Sequence, residues 1–307
     1  MSLPKSVRIR EVGPREGFQN LAHVVPTDQK LELINQLSRT GVGEIEVASF
    51  VRADRVPQMA DAEAVVQGLV SQVGVRYTAL YLNQQGFTRA EAAKRVDNSG
   101  WISIAASETF LKKNSNTSIE KIVNEIPEWI ATFKKYGKSL HGIMVSSAFG
   151  CTYEGRVTVE KLISSLSSIV ATCEENGATI SEICLADTVG LGDPEDVRRK
   201  ISAVRQRWPK SEVSLHLHDT KGIGLANAYA GLLEGVTTFD ASVAGLGGCP
   251  FTKGAAGNIA TEDLVYMCEQ MGVATGIILE QYIIAANIAE RLAGSTLPGR
   301  VYRSQKG

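Results

Sequence analysis

Two histidines stand two residues apart in the segment His216-Leu217-His218, and Asp219 follows them directly. Side chains at positions i and i+2 of a β-strand point to the same face, so both imidazoles could bind one divalent ion. Two imidazoles together with carboxylate and amide oxygens suit Mg²⁺ or Mn²⁺, and the sequence lacks the three or four soft ligands of a structural zinc site. The alternative is a pair of core histidines that hydrogen-bond to their neighbours. The adjacent carboxylate favours the metal site.

Arg15 and Glu16 place two opposite charges in the short loop Gly13–Gly17. Such a pair can be a solvated surface ion pair, which contributes little to stability. Glu46 lies in the next predicted strand, and its presence favours a shared Glu–Arg–Glu cluster instead. An arginine in this setting can stabilise an enolate oxygen, and a carboxylate beside a metal can bind it or move protons.

Cys249 stands in a glycine-rich run at positions 245–258. Such a run keeps a side chain exposed and mobile, which indicates a thiol on a lid over an active site. The alternative is a buried small hydrophobic residue. That description fits Cys184 and Cys268 better, because they lie inside apolar patterns.

The elements that must position these residues are an alternation of short apolar runs with longer amphipathic segments. We predict eight strands, at residues 7–12, 44–48, 75–80, 101–105, 140–146, 180–186, 212–218 and 237–243. Helices are predicted between and after them, at residues 27–40, 88–98, 117–136, 158–176, 194–208, 225–234, 262–271 and 280–294.

This alternation is typical of an α/β fold, a (β/α)₈ TIM barrel with extra C-terminal helices. An open doubly wound sheet is the alternative, but no GxGxxG motif follows the first strand. We therefore predict a single domain over residues 1–307, with the barrel at about 7–271 and the C-terminal helices at about 272–307. Polar residues follow almost every predicted strand, at the end where barrels place their active sites.

Composition excludes several classes of protein. The 307 residues contain 32 Lys+Arg and 33 Asp+Glu, a net charge of −1 that offers no long-range attraction to nucleic acid or to an anionic membrane. No apolar run approaches the roughly 18–20 residues that span a bilayer, and the first residues lack an apolar signal core. Five cysteines without a CxxC pair argue against a disulfide framework. We expect a cytoplasmic protein that does not bind membranes or nucleic acid.

Several spaced motifs between about Val7 and Met271 resemble the 3-hydroxy-3-methylglutaryl-CoA lyase family. That family lies within the metal-dependent barrels that also include isopropylmalate, citramalate and homocitrate synthases. The motifs are EVGPREGFQN at 11–20, IEVASFV at 45–51, VPQMAD at 56–61, ASETFLKKN at 106–114, FGCTYEGRV at 149–157, LADTVGLGD at 185–193, HLHDTKGIGLAN at 216–227 and GLGGCPFTKGAAGN at 245–258.

The resemblance implies a divalent-metal-dependent acyl-CoA lyase, a carbon–carbon lyase that releases acetyl-CoA from an acyl-CoA substrate, and a homodimer. The implied metal ligands are Glu16, His216, His218 and Asn258. Arg15 would contact the thioester oxygen, and Glu46 would orient the pair at positions 15 and 16. The other implied roles are substrate contact by Asp187 near the metal and proton donation by Cys249. Apart from the resemblance, Lys112 could meet phosphates, and we expect Lys112 and Asn114, which follow the strand predicted at 101–105, to bind the acyl-CoA.

This sequence departs from the family's pattern at Glu16, where the family's first motif usually has aspartate. The extra methylene moves the carboxylate outward, and about 1 Å of misplacement can cost ~10²-fold in rate. The resemblance leaves two alternatives to the lyase. One is a Claisen-type synthase, although such synthases usually carry a C-terminal region beyond the barrel and the loop around Cys249 is lyase-like. The other is a barrel that binds metal or acyl-CoA without catalysis.

Overall fold

The structure is a computed structural model that describes residues 3–249 and 252–305, with only the backbone for residues 248–249 and 252–256. Eight strands of four to seven residues recur along it. In chain order they are β1 (Arg8–Glu11), β2 (Glu44–Ser49), β3 (Arg76–Leu80), β4 (Gly100–Ala105), β5 (Leu140–Ser146), β6 (Glu182–Asp187), β7 (Glu212–Leu217) and β8 (Thr238–Ala241). Each lies within about two residues of a predicted strand.

A helix follows every one of these strands, and one more helix follows the last. They are α1 (Thr27–Leu37), α2 (Ala62–Gly68), α3 (Gln84–Ala92), α4 (Ile119–Lys135), α5 (Val159–Glu175), α6 (Pro194–Arg207), α7 (Gly224–Leu233), α8 (Thr261–Gln270) and α9 (Leu279–Ala293). Side-chain caps fix several starting points, because Ser118, Thr158 and Asp193 accept hydrogen bonds from backbone N–H groups in the first turn. No helix in the described part of the chain is long and apolar enough to cross a membrane.

The described residues form two compact units by their backbone contacts. One unit contains residues 99–218 and 226–236, and its strands β4, β5, β6 and β7 pair in parallel in that order. The other contains residues 4–98, 219–225, 237–249 and 252–305, and its strands pair in parallel in the order β3, β2, β1, β8.

The strands carry apolar side chains on both faces, as expected for parallel strands covered by helices. Every residue of β6 and of β8 is buried. Helix α4 buries one face, formed by Ile122, Ile126, Trp129, Ile130 and Phe133. Because this packing fixes the strands, the residues at their C-terminal ends have a rigid support.

The predicted helix at 88–98 is displaced in the structure, where α3 covers Gln84–Ala92. The side chain of Asn83 accepts a hydrogen bond from Gly86 N and so starts the helix earlier. Lys94 then has a positive φ of 57°, which a continuing helix does not permit. Helix α2 was not predicted at all.

Candidate functional site

A single turn of π-helix, Gly13–Gly17, follows β1 and presents Arg15 and Glu16. Arg15 Nε donates a hydrogen bond to Glu46 Oε2, and Arg15 Nη1 lies 3.1 Å from Glu16 Oε2. Glu46 lies in β2, the strand that pairs with β1. The turn and the neighbouring strand therefore form a Glu–Arg–Glu cluster, and the arginine lies between its two carboxylates.

Burial and charge oppose each other in this cluster. Burial works to lower the pKa of Arg15, but attraction to Glu46 and Glu16 outweighs it and raises this pKa, so the guanidinium stays charged. Burial raises the pKa of Glu46, and attraction to Arg15 offsets this only in part. A fixed positive charge with two flanking carboxylates can bind a developing negative oxygen.

Asn258 extends the cluster from the segment before α8. Its Nδ2 donates to Glu16 Oε1 at 3.2 Å, so Glu16 is held by Arg15 on one oxygen and by Asn258 on the other. The Oδ1 atom of Asn258 is buried and has no hydrogen-bond partner among the described residues. A buried amide oxygen without a partner is costly, and a bound cation would satisfy it.

The two histidines at the end of β7 share one face of the strand. His216 Nε2 and His218 Nε2 lie 3.3 Å apart, and both rings are buried. In one unit, two imidazole nitrogens thus face each other, and in the other unit the Glu16 carboxylate lies beside the amide of Asn258. Imidazole nitrogens, carboxylate oxygens and amide oxygens are all donor types that suit a divalent cation.

Asp187 is the last residue of β6 and is fully buried. Its two carboxylate oxygens accept hydrogen bonds from Leu191 N at 2.8 Å and from Gly192 N at 3.0 Å. The carboxylate therefore fixes the loop between β6 and α6. Its position at the C-terminal end of a strand is the one in which barrels place site residues.

Lys112 and Asn114 are exposed in the π-helical turn Leu111–Ser115 that follows β4. Asn114 Nδ2 donates to Phe110 O at 3.0 Å, within its own turn. The backbone of Cys249 lies in a short strand that pairs antiparallel with Thr252–Ala256. The side chain of Cys249 lies outside the described part of the structure.

Residues 6–288 match the HMGL-like protein family. The chain belongs to this family. The cytoplasmic 3-hydroxy-3-methylglutaryl-CoA lyase of Mus musculus is 42% identical over 299 residues, which cover 97% of this chain and 84% of the mouse protein. The 3-hydroxy-3-methylglutaryl-CoA lyases are carbon–carbon lyases. The chain is therefore homologous to enzymes that cleave carbon–carbon bonds.

Solved structures of HMGL-like proteins match the fold over the whole chain. The HMG-CoA lyase of Bacillus subtilis has a TM-score of 0.92 and 39% identity, with 100% of each chain covered. An HMG-CoA lyase of Acinetobacter baumannii, solved in complex with coenzyme A and 3-methylmalate, has a TM-score of 0.88 and 34% identity, with 100% of this chain and 97% of the other covered. The predicted α/β fold, a (β/α)₈ TIM barrel, is confirmed.

Two buried groups near the Glu–Arg–Glu cluster, the Arg10–Asp240 pair and Glu11, were not predicted from the sequence. Arg10 Nε donates to Asp240 Oδ1 at 2.6 Å, and this buried pair joins β1 to β8. Glu11 is fully buried with its carboxylate among hydrogen-bond donors. The available signal was the run Arg8–Glu11, in which charged residues interrupt the strand predicted at 7–12.

Proposed function

We propose that the protein is a divalent-metal-dependent lyase that cleaves 3-hydroxy-3-methylglutaryl-CoA, or a close relative with another 3-substituent, to acetyl-CoA and a keto acid. The observation that carries this proposal is the arginine of an HMGL-like chain fixed between Glu46 and Glu16. Cleavage of a tertiary β-hydroxy thioester is a retro-Claisen step. It develops negative charge on the thioester oxygen, and such a charge needs a fixed positive partner.

We propose Glu16, His216, His218 and Asn258 as the residues that hold the metal. The 3.3 Å separation of the two histidine Nε2 atoms, and the buried Oδ1 atom of Asn258 beside Glu16, support this ligand set. Oxygen and imidazole donors suit Mg²⁺ or Mn²⁺. When bound, such an ion lowers the pKa of a coordinated alcohol and polarises a carbonyl oxygen.

The protein's own groups would then divide the reaction between them. The substrate hydroxyl gives its proton to the carboxylate of Glu16, and its oxygen becomes the carbonyl of the keto acid as the bond between carbons 2 and 3 breaks. The electron pair of that bond moves onto the thioester carbonyl. Arg15 stabilises the resulting enolate oxygen, and Glu46 keeps the guanidinium in place. The thiol of Cys249 donates the proton that converts the enolate carbon to the methyl group of acetyl-CoA. Asp187 contacts the substrate beside the metal.

Binding of the substrate's coenzyme A portion is assigned to Lys112 and Asn114. Their exposed position on the turn after β4 supports this assignment, because an ammonium and an amide there can meet phosphate oxygens.

We further propose one TIM-barrel domain over residues 1–307, because each compact unit contains four of the eight strands that a closed barrel requires. A homodimer and a cytoplasmic location complete the proposal. The mouse relative, whose name includes the word cytoplasmic, supports the location.

The proposal is tested by acetyl-CoA release from the purified protein with added Mg²⁺ or Mn²⁺. The substrates are 3-hydroxy-3-methylglutaryl-CoA, analogues with larger 3-substituents, and citramalyl-CoA. We expect turnover of the methyl substrate or of one analogue at an ordinary enzymatic rate, ~1–10³ s⁻¹.

The pattern of turnover identifies the substrate and tests the metal requirement. Good turnover of an analogue with little turnover of the methyl substrate would support the lyase and identify the 3-substituent. Full activity in EDTA would contradict the metal requirement. Absence of acetyl-CoA release from every substrate would overturn the proposed function.

A further inference from the structure

Behind the turn that carries Arg15 and Glu16, the carboxylate of Glu11 collects four hydrogen bonds. Glu11 Oε1 accepts from Gly13 N at 2.7 Å and from Val243 N at 3.0 Å. Glu11 Oε2 accepts from Thr261 Oγ1 at 2.8 Å and from the Tyr282 hydroxyl. One side chain thus joins two backbone turns through one oxygen and helices α8 and α9 through the other.

The two turns that Glu11 joins are in direct contact. A Cβ atom added to Gly13 would lie 2.5 Å from Glu11 Oε1 and 2.9 Å from Val243 Cγ1, so only glycine fits at this position. A Cβ added to Gly17 would lie 2.5 Å from Leu246 Cγ. The turn 13–17 and the segment 243–246 therefore pack against each other without room for adjustment.

The second turn holds a strained backbone. Ala244 has a positive φ of 56°, which is unfavourable for a residue with a side chain. Its N–H donates to Glu262 Oε2 at 2.9 Å, next to the Val243 N–H that donates to Glu11. The carboxyl groups of Glu11 and Glu262 thus bind successive N–H groups of the strained turn. A strained backbone conformation of this kind persists only when surrounding contacts hold it in place.

The segments on both sides of Glu11 lead to the proposed site. Residues 13–17 carry Arg15 and Glu16, and residues 243–247 lead into the strand that contains Cys249. Asn258 lies three residues before Thr261, the first residue of α8. The Glu11 side chain is completely buried, and burial raises its pKa to about 7 against the effect of its four donors. Burying a carboxyl group costs free energy, and this one lies between the segment that carries Arg15 and Glu16 and the segment that leads to Cys249. We infer that it has a role beyond packing.

We propose that Glu11 is a positioning residue for the reaction, because its carboxylate fixes the position of the turn of Arg15 and Glu16 relative to the turn that leads to Cys249. This inference rests on the proposed function for its kinetic consequences. Its structural content, the coupling of the two turns, stands apart from any activity.

The test replaces Glu11 by Gln, which keeps the size of the side chain but puts an NH₂ group in front of donors. Hydrogen–deuterium exchange is followed in peptides that cover 12–20, 242–247 and, for comparison, 119–135. We expect exchange to rise ~10-fold or more in the first two peptides and to stay at the wild-type level in the third, since local opening follows cooperative units. We also expect kcat to fall ~10-fold or more with KM within ~3-fold, because about 1 Å of misplacement can cost ~10²-fold in rate.

Glu182→Gln is the matched control, because Glu182 is also a buried carboxylate and accepts a hydrogen bond from Ser214 at 2.5 Å. It is the first residue of its strand, at the end opposite Asp187. We expect this variant to lose thermal stability and to keep wild-type kcat within ~3-fold, since an NH₂ group replaces one buried carboxylate oxygen without displacing reacting groups. Equal losses of kcat in Glu11→Gln and Glu182→Gln would reduce Glu11 to a structural role and overturn the proposal.

Tyr282→Phe keeps the inference testable if Glu11→Gln does not fold. This variant removes one donor to Oε2 and leaves both backbone N–H bonds to Oε1 in place. We expect a smaller rise of exchange, ~2- to 5-fold, again confined to peptides 12–20 and 242–247. Wild-type exchange in both peptides would overturn the proposal. A wild-type protein without lyase activity would refute the proposed function, while the exchange measurement would still decide the role of Glu11.

Discussion

Arg15 is bound through its Nε edge to the carboxylate of Glu46, so a residue on β2 sets the orientation of a guanidinium on the turn after β1. The same guanidinium reaches Glu16 through Nη1, at 3.1 Å. A planar fork with several donors in fixed directions can meet both carboxylates at once. The geometry of the cluster therefore depends on arginine itself and not only on a positive charge.

Arg15→Lys is the first prediction that follows. An ammonium on a flexible stem cannot keep both contacts and the orientation toward an enolate oxygen. We expect kcat to fall ~10²-fold or more, the usual cost of losing a donor to a developing oxyanion, with a smaller change in KM. Steady-state kinetics of acetyl-CoA release checks it. Arg52→Lys is the control, since Arg52 forms an exposed pair with Asp54; equal kinetics of the two variants would contradict the role of Arg15.

His216→Ala tests the proposed metal ligands without an activity assay. Loss of one of two imidazoles whose Nε2 atoms lie 3.3 Å apart removes a donor that the others cannot replace. We expect Mn²⁺ affinity, measured by electron paramagnetic resonance titration, to fall ~10²-fold or more, beyond the 10- to 100-fold cost of changes outside the ligands. The matched control is His141→Gln, because His141 pairs with Glu182 and not with the site. Unchanged Mn²⁺ binding in His216→Ala would remove this residue from the ligand set.

The elements were predictable from the sequence because their signals are local. A buried parallel strand is a short run of apolar and β-branched residues, and β5 was predicted with its observed bounds, Leu140–Ser146. Helix α2 gave no such signal, since its seven residues are too few to show a helical period. The start of α3 depends on one capping hydrogen bond from Asn83, which a pattern of hydrophobic residues does not reveal.

Residues of the candidate site could be predicted from the sequence only where charged or metal-binding residue types form a recognisable pattern. The pair at positions 15 and 16 and the two histidines stand out because charged and metal-binding groups end apolar runs. Glu11 and Asp240 did not stand out as a group, because the Asp240 partner Arg10 and the Glu11 partners Val243, Thr261 and Tyr282 are more than 200 positions away in the chain. Such contacts exist only once β1 and β8 pair, with Arg10 opposite Asp240, and no local pattern encodes that register.

Cys249→Ser tests the proposed role of this cysteine as the proton donor. A hydroxyl is a far weaker acid than a thiol, so it protonates an enolate less readily. We expect kcat to fall ~10²-fold, a typical contribution of general acid catalysis, with the melting temperature within about 2 °C of wild type. Differential scanning fluorimetry beside the kinetics checks both parts. A large loss of thermal stability would mean that the cysteine is structural.

The stability of the protein should depend on pH through Glu262. Burial raises the pKa of this carboxyl to about 8, and repulsion from Asp263 and Glu11 adds to the effect. Because the folded pKa lies above that of the unfolded chain, the stabilising contribution is complete below about pH 4.5 and is lost as pH rises toward 8. The loss amounts to a few kcal/mol at ~1.4 kcal/mol per pKa unit.

Glu262→Gln removes this titration and keeps an oxygen acceptor for Ala244 N. The free energy of unfolding is measured by urea titration at several pH values between about 5 and about 8. We expect it to fall less steeply with rising pH in the variant than in the wild type. Curves that run parallel over this range would show that Glu262 does not titrate there.

Glu16→Asp asks whether the longer carboxylate is matched to this site. Each oxygen of Glu16 has its own partner: Oε2 lies 3.1 Å from Arg15 Nη1, and Oε1 accepts a hydrogen bond from Asn258 Nδ2 at 3.2 Å. Removing one methylene draws the carboxylate back by about 1.5 Å, the length of a single carbon–carbon bond. It would then lose its contact with Arg15 or with Asn258.

We expect Glu16→Asp to lower kcat/KM ~10- to 10²-fold on the best substrate of the wild type, since about 1 Å of misplacement is costly in a rigid site. Kinetics on 3-hydroxy-3-methylglutaryl-CoA and on analogues with larger 3-substituents measure the effect. A parallel loss on every acyl-CoA would mean that glutamate positions the reacting groups themselves. A gain on the methyl substrate with a loss on a larger one would mean that position 16 selects the acyl group, and a gain on all of them would contradict the match between Glu16 and this site.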